Sequence, residues 1–166
     1  AFLSAVWQVL IVSAFLLKYT VLVKDNQHLY AYLREEAFYM YDKYLVTGAT
    51  GFLGRAVVEA LARRGARVHA LVLQDDPYIS LLPKEVHTVI GDVCVESSLT
   101  DFFADADSRT CVIHCAGIVS VASRPGSRLY QVNVGGTWSV LRQCMEHNVG
   151  KMVYVSSVHA IPEKPK

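Results

Sequence analysis

The chain has 166 residues, of which 52% are hydrophobic and 19% charged, and its formal net charge is +1. That length holds one ordinary domain and little more, and the composition supports a buried core rather than a disordered chain. The near-neutral balance, without any Lys/Arg run, excludes an electrostatic case for a nucleic-acid partner.

The chain opens at Ala1 rather than Met, which reads as a processed or excised product. Residues Phe2 to Val23 form an apolar run in which Lys18 is the only charge. A run of about 16 residues, extended to about 22 if Lys18 snorkels, sits at the lower limit for a membrane-spanning helix. The basic residues Lys18, Lys24 and Arg34 would then keep the rest of the protein cytoplasmic. The equally weighted alternative is a helix packed in protein or in an oligomer. His28 to Lys43 is aromatic-rich with good helix propensity, capped by Asp25 or Asn26, and reads as a docking helix. A boundary near Asp42 separates this extension (residues 1–42) from a domain over residues 43–166.

From Lys43 onward, short apolar strands alternate with amphipathic helices. Tyr44 to Val46 predicts a first strand. Phe52 to Arg64 predicts a helix with Leu53, Val57, Val58 and Leu61 on one side, stopped by Gly65. Strands follow at Arg67 to Leu73 and Val86 to Ile90, the first leading into a loop with Pro77 and Pro83. A short helix is expected from Ser97 to Ala104, a strand from Thr110 to His114, a long helix from Arg128 to His147, and a strand from Met152 to Val155. This alternation specifies a parallel sheet covered on both faces, and right-handed crossovers give the Rossmann-type doubly wound order 3-2-1-4-5. The cysteines Cys94, Cys111, Cys115 and Cys144 form no Cys-x-x-Cys pair, so no metal site is expected, and reduced cytosolic thiols are the simpler reading.

The residues that point to chemistry are Thr47-Gly48-Ala49-Thr50-Gly51-Phe52-Leu53-Gly54, between the first strand and the first helix. In that context the pattern predicts a diphosphate cradle. Gly48 permits the tight turn, Gly51 removes a Cβ where the phosphates must approach, and Gly54 lets helix and strand pack closely. The helix start, at Phe52, Leu53 and Gly54, offers free N–H groups and a positive dipole end.

The Gly-x-x-Gly-x-x-Gly spacing after Thr47 resembles the extended short-chain dehydrogenase/reductase family, the branch of NAD-dependent epimerases, dehydratases and dihydroflavonol-reductase-like enzymes. Further matches fall in order: Gly91-Asp92-Val93, His114-Cys115-Ala116-Gly117, Asn133-Val134-Gly135-Gly136-Thr137 and Val153-Tyr154-Val155-Ser156-Ser157. The resemblance covers about Lys43 to Pro162. It implies a cofactor site of Gly48, Thr50, Gly51, Phe52, Leu53, Gly54, Asp92, Val93, Cys115, Ala116 and Gly117. It also implies Ser157 and Asn133 as catalytic residues, Ser157 as the hydroxyl with Ser156 second to it, and Asn133 in a role that is partly structural. On the residues alone, Asp92 also reads as a turn-former, and His114 reads as a packed strand-end histidine rather than a base.

The resemblance further implies hydride transfer at a secondary alcohol or ketone, an unidentified small-molecule substrate, and a homodimer. The cofactor is NAD or NADP. Val72 and Leu73 stand where an acidic residue would select NAD, and Asp75 and Asp76 come slightly late unless the loop folds one back. Arg55, at the helix start, is a candidate phosphate contact, and the balance leans to NAD. The family's Tyr-x-x-x-Lys pair is expected about 20 to 30 residues beyond Ser157, past Lys166, so this piece is expected to be inactive alone. Tyr39 and Lys43 have the right spacing but lie at the wrong end of the sheet. The competing reading is a non-catalytic dinucleotide sensor, or a module docked on a membrane through residues 2–23.

Overall fold

A computed structural model describes residues 19–22, 41–119 and 126–156. Six strands form one all-parallel sheet: β1 (Tyr19–Leu22), β2 (Lys43–Thr47), β3 (Arg67–Val72), β4 (His87–Ile90), β5 (Thr110–His114) and β6 (Lys151–Val155), in the order β1-β6-β5-β2-β3-β4. Without β1 this is the doubly wound order expected from the sequence. The chain leaves β2 toward one side and returns through β5 to the other. The gap between β2 and β5 is therefore the switch point, where loops part and a ligand can enter.

Alternation along the strands sorts the core into two layers. Tyr44, Val46, Cys111 and Ile113 face α1 (Phe52–Arg63) and pack with its Val58 and Leu61. Leu45, Val112 and Met152 face the opposite side, where they meet Phe102, Phe103, Val140 and Cys144. A sheet buried on both faces needs apolar residues at consecutive positions, and β2 and β5 are buried throughout. Helix α1 ends as the glycine predicts, with Gly65 at φ 71° and its N–H bonded to Ala62 O.

Two expectations change. The four residues Tyr19 to Leu22, inside the segment read as helical, instead pair in parallel with β6, Tyr19 opposite Met152 and Leu22 opposite Val155. A short apolar run has no helical signature of its own, and the β-branched Thr20 and Val21 suit a strand that satisfies the edge of β6. The remainder of the hydrophobic segment and the expected helix from His28 to Met40 lie outside the described residues; at that helix's expected end Tyr41 and Asp42 are not helical and Lys43 is the first residue of β2. Among the described residues no helix is long and apolar enough to cross a membrane.

The other change is in the helices. The turn at Glu96–Leu99 is 3₁₀ and leads into α2 (Thr100–Phe103), and Ser98 Oγ accepts Asp92 N–H of the preceding loop at 2.9 Å. The long helix begins as α3 (Ser127–Tyr130), widens into a π-helical stretch over Gln131–Gly136, and resumes as α4 (Thr137–Glu146). Two adjacent glycines, Gly135 and Gly136, weaken regular α-geometry there. Gly136 also packs so closely that a Cβ would lie 2.6 Å from Val93 Cγ2.

Candidate functional site

The loops at the carboxyl ends of β2 to β5 surround a cleft of about 280 Å³ at the switch point. A larger hollow of about 420 Å³ opens at the amino ends of β3 and β4, among Arg67, His69, Glu85 and His87. It lies far from the glycine loop and from the end of an open α/β sheet where ligands bind, so the smaller cleft is the functional candidate.

Gly48 turns out of β2 at φ 64°, and a Cβ there would meet Ala116 N at 2.6 Å. The first turn of the loop closes with Gly51 N–H on Gly48 O, and helical bonding begins with Arg55 N–H on Gly51 O. That leaves the N–H groups of Phe52, Leu53 and Gly54 with no intrahelical acceptor. Helix α1 has no side-chain cap and no acidic residue in its first turn, so this positive end is neither blocked nor neutralised. Gly54 seats the helix on the loop, since a Cβ would lie 2.0 Å from Gly48 O. These features suit a diphosphate.

Of the sequence-predicted residues, Gly48, Thr50, Gly51, Asp92, Val93, Cys115, Ala116 and Gly117 line this one cleft. Phe52, Leu53 and Gly54 do not line it. The Phe52 side chain is 82% exposed, and what these three residues offer is backbone. Asn133 lies in the π-helical stretch and clamps the β5 loop, its Oδ1 accepting from Ile118 N–H at 2.7 Å and its Nδ2 donating to Ile118 O at 2.9 Å. Ser157 lies outside the described residues, as does Tyr39 of the misplaced pair. Lys43 is buried at the amino end of β2 and donates to Asp105 O.

The loop after β3 carries an acid back toward the glycine loop. Asp75 takes a left-handed turn at φ 61°, which Asp tolerates better than most residues, and brings Asp76 back to the glycine loop. Asp76 Oδ2 accepts the Thr50 hydroxyl at 2.6 Å, Oδ1 accepts Tyr78 N–H at 2.9 Å, and the residue lines the cleft. Arg55 turns along its helix to pair with Glu59 at 3.6 Å, away from the cleft. Asp92 combines two roles. Its Oδ1 accepts Cys94 N–H at 2.9 Å as a turn-former, while Oδ2 meets Arg128 at 3.5 Å at the mouth of the cleft. Sequence reasoning missed Arg128, Ile118, Leu71, Leu73, Gly91 and Val132 as lining residues. Gly91 opens the matched Gly91-Asp92-Val93 and Leu73 stands at the expected position of the ribose acid, whereas Arg128, Ile118, Leu71 and Val132 carried no local signal.

Titratable groups near the cleft narrow its chemistry. Burial pushes the Cys115 thiol up to about 12, so it is protonated at neutral pH and is no thiolate nucleophile. Cys94 is also raised, first by desolvation and then by hydrogen bonding to Asp92. His114 is fully buried, and desolvation lowers it to about 4. It has no access to the cleft as a proton-transfer base. Among the described residues no cluster of His, Cys, Asp or Glu could hold a metal ion.

Fold and cleft together define a Rossmann-type dinucleotide domain. Residues 44–166 match the model of the NAD dependent epimerase/dehydratase family, and the chain belongs to that family. It is 33% identical over 119 residues to short-chain dehydrogenase/reductase family 42E member 1 of Mus musculus, covering 70% of this chain and 30% of that protein. It is 35% identical over 130 residues to 3 beta-hydroxysteroid dehydrogenase type 7 of Homo sapiens, covering 74% of this chain and 34% of that protein. The UDP-glucose 4-epimerase of Thermus thermophilus, solved in complex with NAD, is similar at a TM-score of 0.59 and 27% identity, over 66% of this chain and 36% of that one. The chain spans about a third of the length of the curated relatives it matches.

Proposed function

We propose that the chain is the NAD-binding part of an oxidoreductase or epimerase that moves hydride at a secondary alcohol or ketone. The observation that carries this reading is the uncapped start of α1 on a loop whose Gly48 and Gly54 leave no room for a Cβ. Phe52, Leu53 and Gly54 would hold the diphosphate through backbone N–H groups. Asp76 would accept hydrogen bonds from the adenosine ribose, and its charge would repel a 2′-phosphate, which selects NAD over NADP. Asp92 and Val93 would border the adenine, and the small residues Ala116 and Gly117 would let the nucleotide lie against backbone.

When bound, the nicotinamide supplies a hydride acceptor or donor. The described residues bind and orient; proton exchange with the substrate would rest on Ser157 and, by family resemblance, a Tyr-x-x-x-Lys pair. Two relatives point to a substrate to try first. One is named for 3 beta-hydroxysteroid, and a second, sterol demethylase protein B of Methylococcus capsulatus, is 31% identical over 122 residues. We therefore place a ring-bound secondary hydroxyl first among candidates. The free thiols Cys94, Cys111, Cys115 and Cys144 fit a reducing compartment, and we place the protein in the cytoplasm.

The test is a fluorescence titration of the intact protein with NADH and NADPH. Saturable NADH binding, with NADPH at least about tenfold weaker, is the expected outcome. No binding of either nucleotide would overturn the assignment, and a preference for NADPH would overturn the role given to Asp76.

A further inference from the structure

His114, directly beneath the cleft, ends β5 with no exposure, and both of its ring nitrogens are engaged. Nδ1 lies 2.6 Å from Thr47 Oγ1 and Nε2 lies 3.1 Å from Thr137 Oγ1. The neighbours fix the proton. Thr137 donates its hydroxyl to Asn133 O at 2.8 Å, so toward His114 it can only accept, and Nε2 carries the hydrogen. Nδ1 is then bare and accepts the Thr47 hydroxyl, whose oxygen in turn accepts Ala116 N–H at 3.2 Å. One directed chain thus runs from Ala116 N–H through Thr47, His114 and Thr137 to Asn133 O.

Both ends of this chain act on the same loop. Ala116, at its start, lines the cleft, and Asn133, at its end, grips Ile118 through two side-chain hydrogen bonds. The β5 loop is therefore held at two points, and His114 is the link between them. The Tyr154 ring stacks on the imidazole, with centroids 5.6 Å apart and planes 23° apart, and limits its rotation. Its side-chain partners are two threonine hydroxyls and a tyrosine ring, none of them a carboxylate that could stabilise an imidazolium.

We propose that His114 is a positioning residue: it sets the β5 loop against the Asn133 turn and so governs nucleotide affinity without touching the nucleotide. The inference rests on the NAD-binding reading above. A neutral ring suits the role, because a second proton would leave the Thr47 hydroxyl facing a donor where it now meets an acceptor. Burial, which lowers the group to about 4, keeps that proton off at neutral pH.

The experiment compares NADH affinity in the intact wild type, His114→Phe, His114→Gln and Thr137→Val, alongside ¹⁵N NMR of the wild-type imidazole near pH 7. Phe fills the site and can stack on Tyr154 but makes no ring hydrogen bond. Gln restores a donor toward Thr137, and Val keeps the shape of Thr137 without its hydroxyl. The expected result is NADH binding about tenfold weaker in His114→Phe and Thr137→Val, partial recovery in His114→Gln, and a ring proton on Nε2. Wild-type affinity in His114→Phe, His114→Gln no better than Phe, or a proton on Nδ1 would overturn the proposal. Should His114→Phe fail to fold, Thr137→Val and the NMR signature decide the question. If the wild type does not bind NADH, the parent reading fails; if it binds and the variants bind equally well, this inference alone fails.

Discussion

Gly54→Ala adds one methyl group at the point where the proposed phosphate cradle is tightest. The new Cβ would sit 2.0 Å from Gly48 O, 2.8 Å from Gly48 C and 3.1 Å from Ala49 Cα, all backbone that no rotamer change can move aside. To restore ordinary contact, the start of α1 must retreat by roughly 1 Å, which strains a core with little free volume. Overpacking of this kind typically costs about 1–3 kcal/mol, and the better helix propensity of Ala returns up to ~1 kcal/mol. The net loss is about 1–2 kcal/mol, seen as a melting temperature lower by several degrees. Affinity should suffer more than stability, because N–H groups aimed at a diphosphate lose alignment together. NADH titration should show at least about a tenfold rise in Kd. Gly135→Ala is the control: the residue is exposed, and a Cβ added there would meet nothing within 4 Å, so stability should hold or rise by about 1 kcal/mol and NADH affinity should not change. Equal NADH affinity in Gly54→Ala and the wild type would refute the placement of the cradle.

Asp76→Ala should free Thr50 and remove the charge that repels a 2′-phosphate, narrowing the NADH-over-NADPH preference by about tenfold in paired titrations. Asn133→Ala should cost about 1–2 kcal/mol and speed amide exchange at Ile118, whose N–H and C=O both lose their partner. Stability should also depend on pH through His114. Its folded-state value is depressed to about 4, so the unfolded chain takes up the proton first. The contribution is whole above about pH 6.5 and is lost as pH falls toward 4, amounting to about 2 kcal/mol at pH 5. Urea unfolding at pH 7 and pH 5 measures it, and His114→Gln should flatten the difference. An equal pH dependence in that variant would show that the loss comes from other groups, such as His69, which desolvation also lowers to about 4.

The parallel sheet was legible because its signals are local and repeated. Leu45 and Val46, or Val112 and Ile113, are consecutive apolar residues bounded by Gly48 and by Cys115-Ala116-Gly117, and in alternation with amphipathic helices such short runs read as strands buried on both faces. Periodicity could not assign Tyr19 to Leu22. Four residues inside a longer, largely apolar run satisfy helix and strand alike, and the open edge of β6 that they complete belongs to another part of the chain. The π-helical stretch was hidden for a related reason. Gly135-Gly136 announces a weak point in a helix, but the neighbour that Gly136 packs against is Val93, which lies 43 residues earlier.

The glycine loop was readable for what it lacks, since Gly48 and Gly54 record the absence of side chains that the backbone cannot accommodate. The partners that complete the cleft are held by side chains meeting across the sheet: Thr50 with Asp76, Asp92 with Arg128, and His114 with both Thr47 and Thr137. The left-handed turn at Asp75 shows the difference most clearly. In sequence, Asp76 stands slightly late for the end of β3, and one residue's positive φ brings it back to the site. Selectivity for the cofactor's ribose would then depend on the conformation of a loop, with the acid absent from the strand end itself. Substitution at Asp75 should consequently alter nucleotide preference without removing a single atom from the cleft.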